Sequence, residues 1–587
     1  GKPGRVATPG DTLRPPFCGH FTTCVRRGAT TRHVVHGKTR GENMSVDGQE
    51  RTEIDRRLEH LEQRYPPREL SDGAQVVRVA PSPTGKPTIG TALQATINYA
   101  LARQGGGIFI LRIEDTDRAR LIPGAVEQIV AALDWLGLPP DEGPEAGGSY
   151  GPYVESERLD EYRIVADWLV EHGHAYPCFC TPERLTRLRE EQMAAKQPTR
   201  YDRRCRGLSP EERRAHLDAG ETPVVRLAMP LEGTIVYEDP VRGAIEFDAA
   251  EQDDPVILKS DGFPTYHLAA MADDHFMRVT TVVRGEEWIS STPKHLVLIE
   301  ALGWKPSVIV HTPLLRDAQG RKLSKRSGDT SIGWYQAQGY LPEAFRNFLT
   351  RIIWVHPEGK DTYPYEDFID GISPANLPKT GPIVNHDLLD FIGGEWLRTL
   401  SAPELYDATR EWLRWLLEEY TPDGVAFEEP RKGGRVEHPV SREELEAFQR
   451  AFERDRAFAE RVLSLEPERY HKLSDIVMQT GLYFADLFTP APVELLTDPT
   501  RGDTALAVEL LREFVSWFTG EEAMEDWERR MDAMWQSRDL KRAVPFMLLR
   551  IAVTGSKQTP PLFGVIEVLG PNEVRRRIDG ALTELKG

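Results

Sequence analysis

Apolar and polar positions fall into three textures along the chain. Residues 49–70, QERTEIDRRLEHLEQRYPPREL, predict a charged helix that Pro66 and Pro67 end. From QVVRVAP onward the pattern becomes α/β: a short apolar strand closes at Ala80, a turn punctuated by Pro and Gly follows, and helix formers run from Thr91. Next come GGIFILRIEDTD, a buried strand that breaks into acids, and IPGAVEQIVAALDWLGL, which sets Val126, Ile129, Val130 and Leu133 on one helical face. Strands followed by helices at this spacing predict a parallel, doubly wound sheet.

Near residue 150 the texture changes to a charge-rich stretch and then to alternating pieces such as PVVRLAM and GAIEFDA, as an insertion between two halves of the sheet would. The α/β pattern resumes at DGFPTYHLAAMADDHFMRVTTVVRGEEW and VIVHTPLLRDAQGRKLSKRSGD. Beyond about residue 395 helical periodicity dominates, as in REELEAFQRAFERDRAFAERVLSL. The expected units are 44–75, a charged helical extension; 76–150 with 262–330, the sheet; 151–261, the insertion; 331–395; and 396–587, helical.

Composition narrows the class. A net charge of -19 argues against non-specific coating of nucleic acid while leaving room for a local basic surface. Apolar runs fall short of the roughly 18 residues a membrane helix needs. Five cysteines in 587 residues do not make a disulfide framework, so a reducing cytoplasm is the expected compartment. Residues 1–43 hold eight Lys or Arg against Asp11 and Glu42, and read as a disordered leader or a misassigned start rather than a transit peptide, with Met44 opening the ordinary-looking part.

Two loops carry the candidate chemistry. The first, PSPTGKPTIGTA, joins a strand to a helix N-terminus, where unpaired N–H groups and the helix dipole favour an anion. The second, KLSKRSG at 322–328, offers Lys322, Lys325 and Arg326. A nucleoside triphosphate lying along Gly90 and Thr91 beneath those cations would be stabilised where charge builds up.

With these loops in order, and with RIEDTDRAR, KSDGFPTYHLA, VVRGEEWISSTPKH and SGDTSIGWYQAQGYLPEAFRNFL between and after them, residues 76–587 resemble the class I glutamyl-tRNA synthetases of the bacterial type. The first loop is similar to that family's HIGH motif and KLSKR to its KMSKS motif. The resemblance implies a Rossmann-like (HUP-type) α/β catalytic domain, an inserted α+β acceptor-binding domain, a stem-contact region over 331–395 and an all-α anticodon-binding region. It implies ATP with Mg2+, L-glutamate and tRNA as substrates, and a monomer. Arg78 and Tyr266 would meet the glutamate side-chain carboxylate, Ser82 and Glu114 its amino group, and Arg284 its α-carboxylate, with Ala80 and Ala270 also in that pocket. Thr88, Gly90, Thr91, Glu287, Leu315, Lys322, Leu323, Ser324, Lys325 and Arg326 would border ATP, with Thr88, Gly90, Lys322 and Lys325 assisting the chemistry.

Two positions depart from the family pattern. Thr88 stands in place of the first histidine of HIGH, as in the Thr-Ile-Gly of tryptophanyl members, and a hydroxyl can still donate one hydrogen bond to a phosphate. Ala270 stands in place of an asparagine and removes a polar partner from the amino-acid pocket; His267 or water would have to compensate, or the preferred amino acid has changed. Cys178 and Cys180, with Tyr201 and Cys205 at the Tyr-x3-Cys spacing of shorter tRNA-modifying relatives, read either as a structural zinc site or as reduced, half-buried thiols. Basic stretches at 184–207 and 538–542 are candidates for tRNA phosphates. The expected activity is glutamate-tRNA ligation, on tRNA(Glu) with tRNA(Gln) as a second candidate; the alternative is a weakened or altered-specificity paralogue that binds tRNA.

Overall fold

The computed structural model describes residues 52–323, 330–420, 423–431, 434–518 and 524–586. Ser324, Lys325 and Arg326, and the leader 1–43, lie outside them. The first helix, α1 (Glu53–Arg64), starts from a reciprocal capping box between Thr52 and Asp55 and stops at Tyr65, directly ahead of Pro66. The chain then enters β1 (Val76–Val79), α2 (Ile89–Gly105), β2 (Ile108–Leu111), α3 (Ala125–Trp135) and α4 (Leu159–Glu171).

The sheet is completed much later by β8 (Thr281–Gly285) and β9 (Val308–Thr312), in the parallel order β2-β1-β8-β9. Its strands are buried on both faces, which explains their continuous apolar sequences. Val77, Val79, Phe109, Leu111, Val283 and Val310 join one core with α2 and α3, while Val76, Ile110, Val282 and Ile309 join a second with α4 and the helices α7 (Tyr266–Phe276) and α8 (Thr292–Ala301). Alternate residues of each strand thus feed opposite layers, the doubly wound arrangement expected from sequence.

Between α4 and α7 the chain builds an antiparallel sheet, β3-β4-β7 (Ala175–Cys178, Val224–Leu227, Val256–Leu258), and a hairpin of β5 (Thr234–Asp239) and β6 (Gly243–Asp248). The hairpin reaches back to the main sheet: the Tyr237 hydroxyl donates to the Ile309 carbonyl and accepts from the Ile309 N–H at 2.6 Å.

The C-terminal part is helical over two further cores, with one exception that helical periodicity did not reveal. Residues Gly424–Arg431 and Gly434–Ser441 pair as an antiparallel ribbon, β10 and β11. Arg577 on the last helix is buried and fully hydrogen-bonded, donating to the carbonyls of Leu482, Tyr483 and Val553 and to Glu573, so one guanidinium ties three segments together.

Candidate active site and thiolate cluster

The first loop ends at Thr88, which has extended backbone and opens α2 without using its hydroxyl as a cap. The Ile89 N–H is taken instead by the Thr330 carbonyl at 2.9 Å, and Ile332 N–H donates to the Pro87 carbonyl at 2.9 Å. The loop is thereby clamped to the segment that follows the second loop, and the Thr88 hydroxyl stays free of helix-capping duty.

Beside this clamp lies a cleft of about 300 Å3 at the carboxyl ends of β1, β8 and β9, where open α/β sheets bind ligands. Thr88, Gly90, Thr91, Glu287, Leu315, Lys322 and Leu323, all expected from sequence, line it together with Gln94 and Gly285. At Gly285 a Cβ would sit 1.9 Å from a Glu287 carboxylate oxygen, so any larger residue there would displace the Glu287 side chain. Ser82 is exposed and lines an adjoining hollow of about 240 Å3 with Lys86, Thr88 and Thr91.

Arg78, Glu114, Tyr266 and Arg284 gather at the same strand ends. Arg78 is 4% exposed and donates to Asp274 at 3.0 Å; Arg112 donates to the same carboxylate at 2.7 Å and to Glu114 at 3.1 Å. Burial pushes the Asp274 carboxyl up, but the two guanidiniums outweigh burial and hold it below the usual carboxylate range. For Glu114 burial wins over Arg112 and Arg78, and its carboxyl is raised. Burial also raises the Tyr266 phenol.

Arg284 meets a different set of partners: His311 Nε2 at 3.0 Å, His295 Nδ1 at 2.9 Å, the Thr292 hydroxyl at 2.8 Å and the Tyr266 hydroxyl at 3.5 Å. His295 Nε2 in turn contacts His267 Nδ1 at 3.1 Å. Because guanidinium only donates, His295 accepts on Nδ1 and carries its proton on Nε2 toward His267. Burial drives both imidazoles to the neutral form, taking His267 down to about 4 and holding His295 well below the usual imidazole range.

Ala80 is half-buried where β1 ends, and Ala270 is fully buried among Leu268, Ala269 and Met271 in the apolar layer. Sequence reasoning missed Arg112, Asp274, Thr292, His295 and His311. Arg112, Asp274 and His311 share a signal, an ionisable residue at an otherwise apolar run, as in IFILRI, AAMADD and VIVHT; Thr292 and His295, in SSTPKH, carry none.

In the insertion, β3 delivers Cys178 and Cys180 opposite Tyr201 and Cys205. Tyr201 Oη lies 3.3 Å from Cys178 Sγ and 3.5 Å from Cys180 Sγ, and Cys180 Sγ lies 3.5 Å from Cys205 Sγ. All three sulfurs fall within 4.8 Å of one another. A zinc tetrahedron with arms of roughly 2.3 Å has edges of about 3.8 Å, so this donor set fits. Arg184 Nη1 approaches Cys180 Sγ to 3.4 Å, a cation suited to a thiolate.

Comparison with known proteins bears directly on this geometry. The catalytic-domain family described as tRNA synthetases class I (E and Q) matches residues 75–391, and an anticodon binding domain family matches residues 440–582. The glutamate-tRNA ligase of Gloeobacter violaceus is 53% identical over 522 residues, covering 89% of this chain and 98% of that protein. This chain belongs to the glutamate-tRNA ligases. A Thermus thermophilus ligase is 38% identical over 513 residues, covering 86% of this chain and 99% of that one. A crystal structure of the glutamate tRNA ligase from Elizabethkingia meningosepticum in complex with its amino acid superposes with a TM-score of 0.72 at 29% identity, over 88% of this chain and all of that one. The ligase is therefore a class I enzyme with a Rossmann-like catalytic domain and a helical anticodon-binding domain, and the weakened-paralogue alternative is not favoured. Among the described residues no helix is long and apolar enough to cross a membrane.

Proposed function

We propose that L-glutamate sits between Arg78, Ser82, Glu114, Tyr266 and Arg284, with Ala80 and Ala270 in the wall, and that ATP lies in the cleft beside Thr88. The observation that carries this assignment is Arg284: a buried guanidinium that has no carboxylate as a hydrogen-bond partner among the described residues, directly before the cleft-lining Gly285. A substrate carboxylate supplies the missing counter-charge.

In the reaction, a glutamate α-carboxylate oxygen attacks the α-phosphorus of ATP, the bond to the bridging oxygen breaks, and pyrophosphate leaves. The tRNA 3'-terminal adenosine hydroxyl then attacks the carbonyl of the glutamyl-adenylate and AMP leaves. The substrate is its own nucleophile in the first step, so the protein supplies position and charge. Thr88 donates one hydrogen bond to a phosphate oxygen, Gly90 and Thr91 offer the helix N-terminus, and Glu287, Leu315, Lys322 and Leu323 border the nucleotide; Ser324, Lys325 and Arg326, outside the described residues, are the further candidates to meet its phosphates. ATP enters as its Mg2+ complex.

The same reading assigns 76–150 with 262–330 to catalysis, 151–261 to the acceptor end, 331–395 to the stem and 396–587 to the anticodon, in a monomeric cytoplasmic enzyme charging tRNA(Glu), with tRNA(Gln) as a further acceptor. In 184–207 the exposed Arg187, Arg189, Lys196 and Arg204 are the groups to meet phosphates, since Arg203 and Arg206 are engaged by Asp254. In 538–542, Arg538 and Arg542 are paired with Glu509, Glu513 and Asp532, which leaves Lys541 as the stronger candidate. Zinc at Cys178, Cys180, Tyr201 and Cys205 would hold the insertion together as a structural ion.

The test is exchange of pyrophosphate into ATP with each amino acid, with and without tRNA. Exchange specific to glutamate supports the assignment; no exchange with any amino acid, in protein that still binds tRNA, overturns it.

A further inference from the structure

Arg78 and Arg284 are assigned to the same pocket, yet they are held in opposite ways. Arg78 faces a carboxylate it shares with Arg112, whereas Arg284 is surrounded by neutral acceptors. Each imidazole nitrogen that faces Arg284 must therefore be unprotonated, because a guanidinium has no acceptor. For His311 this requires the proton on Nδ1, and Nδ1 lies 2.6 Å from Asp239 Oδ2.

Asp239 is itself fixed. Its Oδ1 accepts the backbone N–H groups of Val241 at 2.8 Å and Arg242 at 3.0 Å, and its Oδ2 accepts from the His311 N–H at 3.3 Å. Asp239 is 3% exposed, His311 0% and Arg284 3%, so the chain is closed to water that could substitute for any link. The carboxylate comes from the end of β5, in the insertion, while His311 and Arg284 lie on β9 and β8 of the catalytic sheet.

We propose that Asp239 and His311 are positioning residues for Arg284: Asp239 sets the His311 tautomer, and the His311 Nε2 lone pair fixes the plane of the guanidinium that receives the glutamate carboxylate. The proposal rests on the assignment of Arg284 to the substrate. Its logic matches that of a carboxylate that orients a catalytic imidazole, with an arginine in place of a nucleophile.

Asparagine at 239 keeps the shape of the side chain and removes the acceptor at the Oδ2 position, which gives up the 3.3 Å contact from the His311 N–H as well as the 2.6 Å contact to its ring. With its Oδ1 retained by the Val241 and Arg242 N–H groups, its amide nitrogen faces His311 Nδ1 and turns that atom into an acceptor. The proton then moves to Nε2, where it opposes the Arg284 Nε–H. Glutamine at 311 keeps an acceptor near the Nε2 position and needs no tautomer; asparagine at 311 does not reach it.

The experiment measures KM for glutamate, KM for ATP and kcat in aminoacylation for D239N, H311Q, H311N, D239N/H311Q and R284Q. The expected result is a rise of about ten- to a hundredfold in KM for glutamate in D239N and H311N, the range of a lost hydrogen bond to a charged group, with KM for ATP within about twofold. D239N/H311Q should fall closer to wild type than D239N alone. A KM for glutamate unmoved in D239N, or no rescue in the double variant, overturns the relay. Should D239N fail to fold, H311Q against H311N decides: equal KM values for glutamate overturn the relay, and a selective rise in H311N supports it. R284Q separates the two layers, because an unchanged KM for glutamate there sinks the Arg284 assignment itself, whereas a large rise with normal D239N sinks only the relay.

Discussion

Arg78 and Arg112 converge on one oxygen of Asp274, at 3.0 and 2.7 Å, and all three side chains are buried. Arg112 also donates to Glu114 at 3.1 Å and lies 3.9 Å from Asp273, so the two guanidiniums and these carboxylates form one buried charge network. Removing the shared anion while both cations remain is the costly case.

Asp274→Ala is expected to destabilise the enzyme by about 3–5 kcal/mol. Urea denaturation would measure this, and a midpoint equal to wild type would show that the three charges are not energetically linked.

Ala270 is fully buried in an apolar layer. Ala270→Asn should therefore add a polar group where packing is already complete and cost about 1–3 kcal/mol. Thermal unfolding reads the cost; a stabilised variant with a lower KM for glutamate would mean that the layer opens toward the substrate when the amide is present.

The histidines make stability sensitive to mild acid. His267 is lowered from 6.5 to about 4 by burial first, then by Lys294 and Arg284. Between those values the unfolded chain binds the proton and the folded enzyme does not, so this contribution is full above about 6.5 and is lost as pH falls toward about 4. Unfolding midpoints should fall across that window and fall less in His267→Gln; identical profiles would exclude His267 as the source.

Purified enzyme is expected to hold about one zinc per chain. Cys205→Ser should lose the metal and lower the unfolding midpoint. A metal-free wild type with unchanged stability would assign the cluster to three reduced thiols instead.

Thr88→Val keeps the shape and removes the donor. A drop of about ten- to a hundredfold in pyrophosphate exchange is expected, because a hydrogen bond to charged phosphate is worth about 1.5–3 kcal/mol. An unchanged rate would place the hydroxyl away from the phosphates.

Much of this enzyme was legible in its sequence for local reasons. Strands buried on both faces must be continuously apolar, which marks Val76–Val79 and Thr281–Gly285 directly, and the Pro- and Gly-marked turn announces the strand-loop-helix join that ends at Thr88. The ribbon 424–441 escaped because most of its residues face water on one side or both, so EEPRKGGRVEHPV shows no apolar alternation. The surroundings of Arg284 escaped for another reason: Asp239 on β5, Thr292 and His295 on α8 and His311 on β9 come from three separate elements, and no local pattern encodes their meeting.

The hairpin that carries Asp239 belongs by chain order to the insertion and by hydrogen bonding to β9 of the main sheet. Chimeras that exchange this insertion among relatives would consequently transplant part of the support of Arg284 along with it. Asp239 and Tyr237 on the donor hairpin must suit His311 and Ile309 on the recipient, and this seam, rather than the loops at either end, sets where such a graft can be cut.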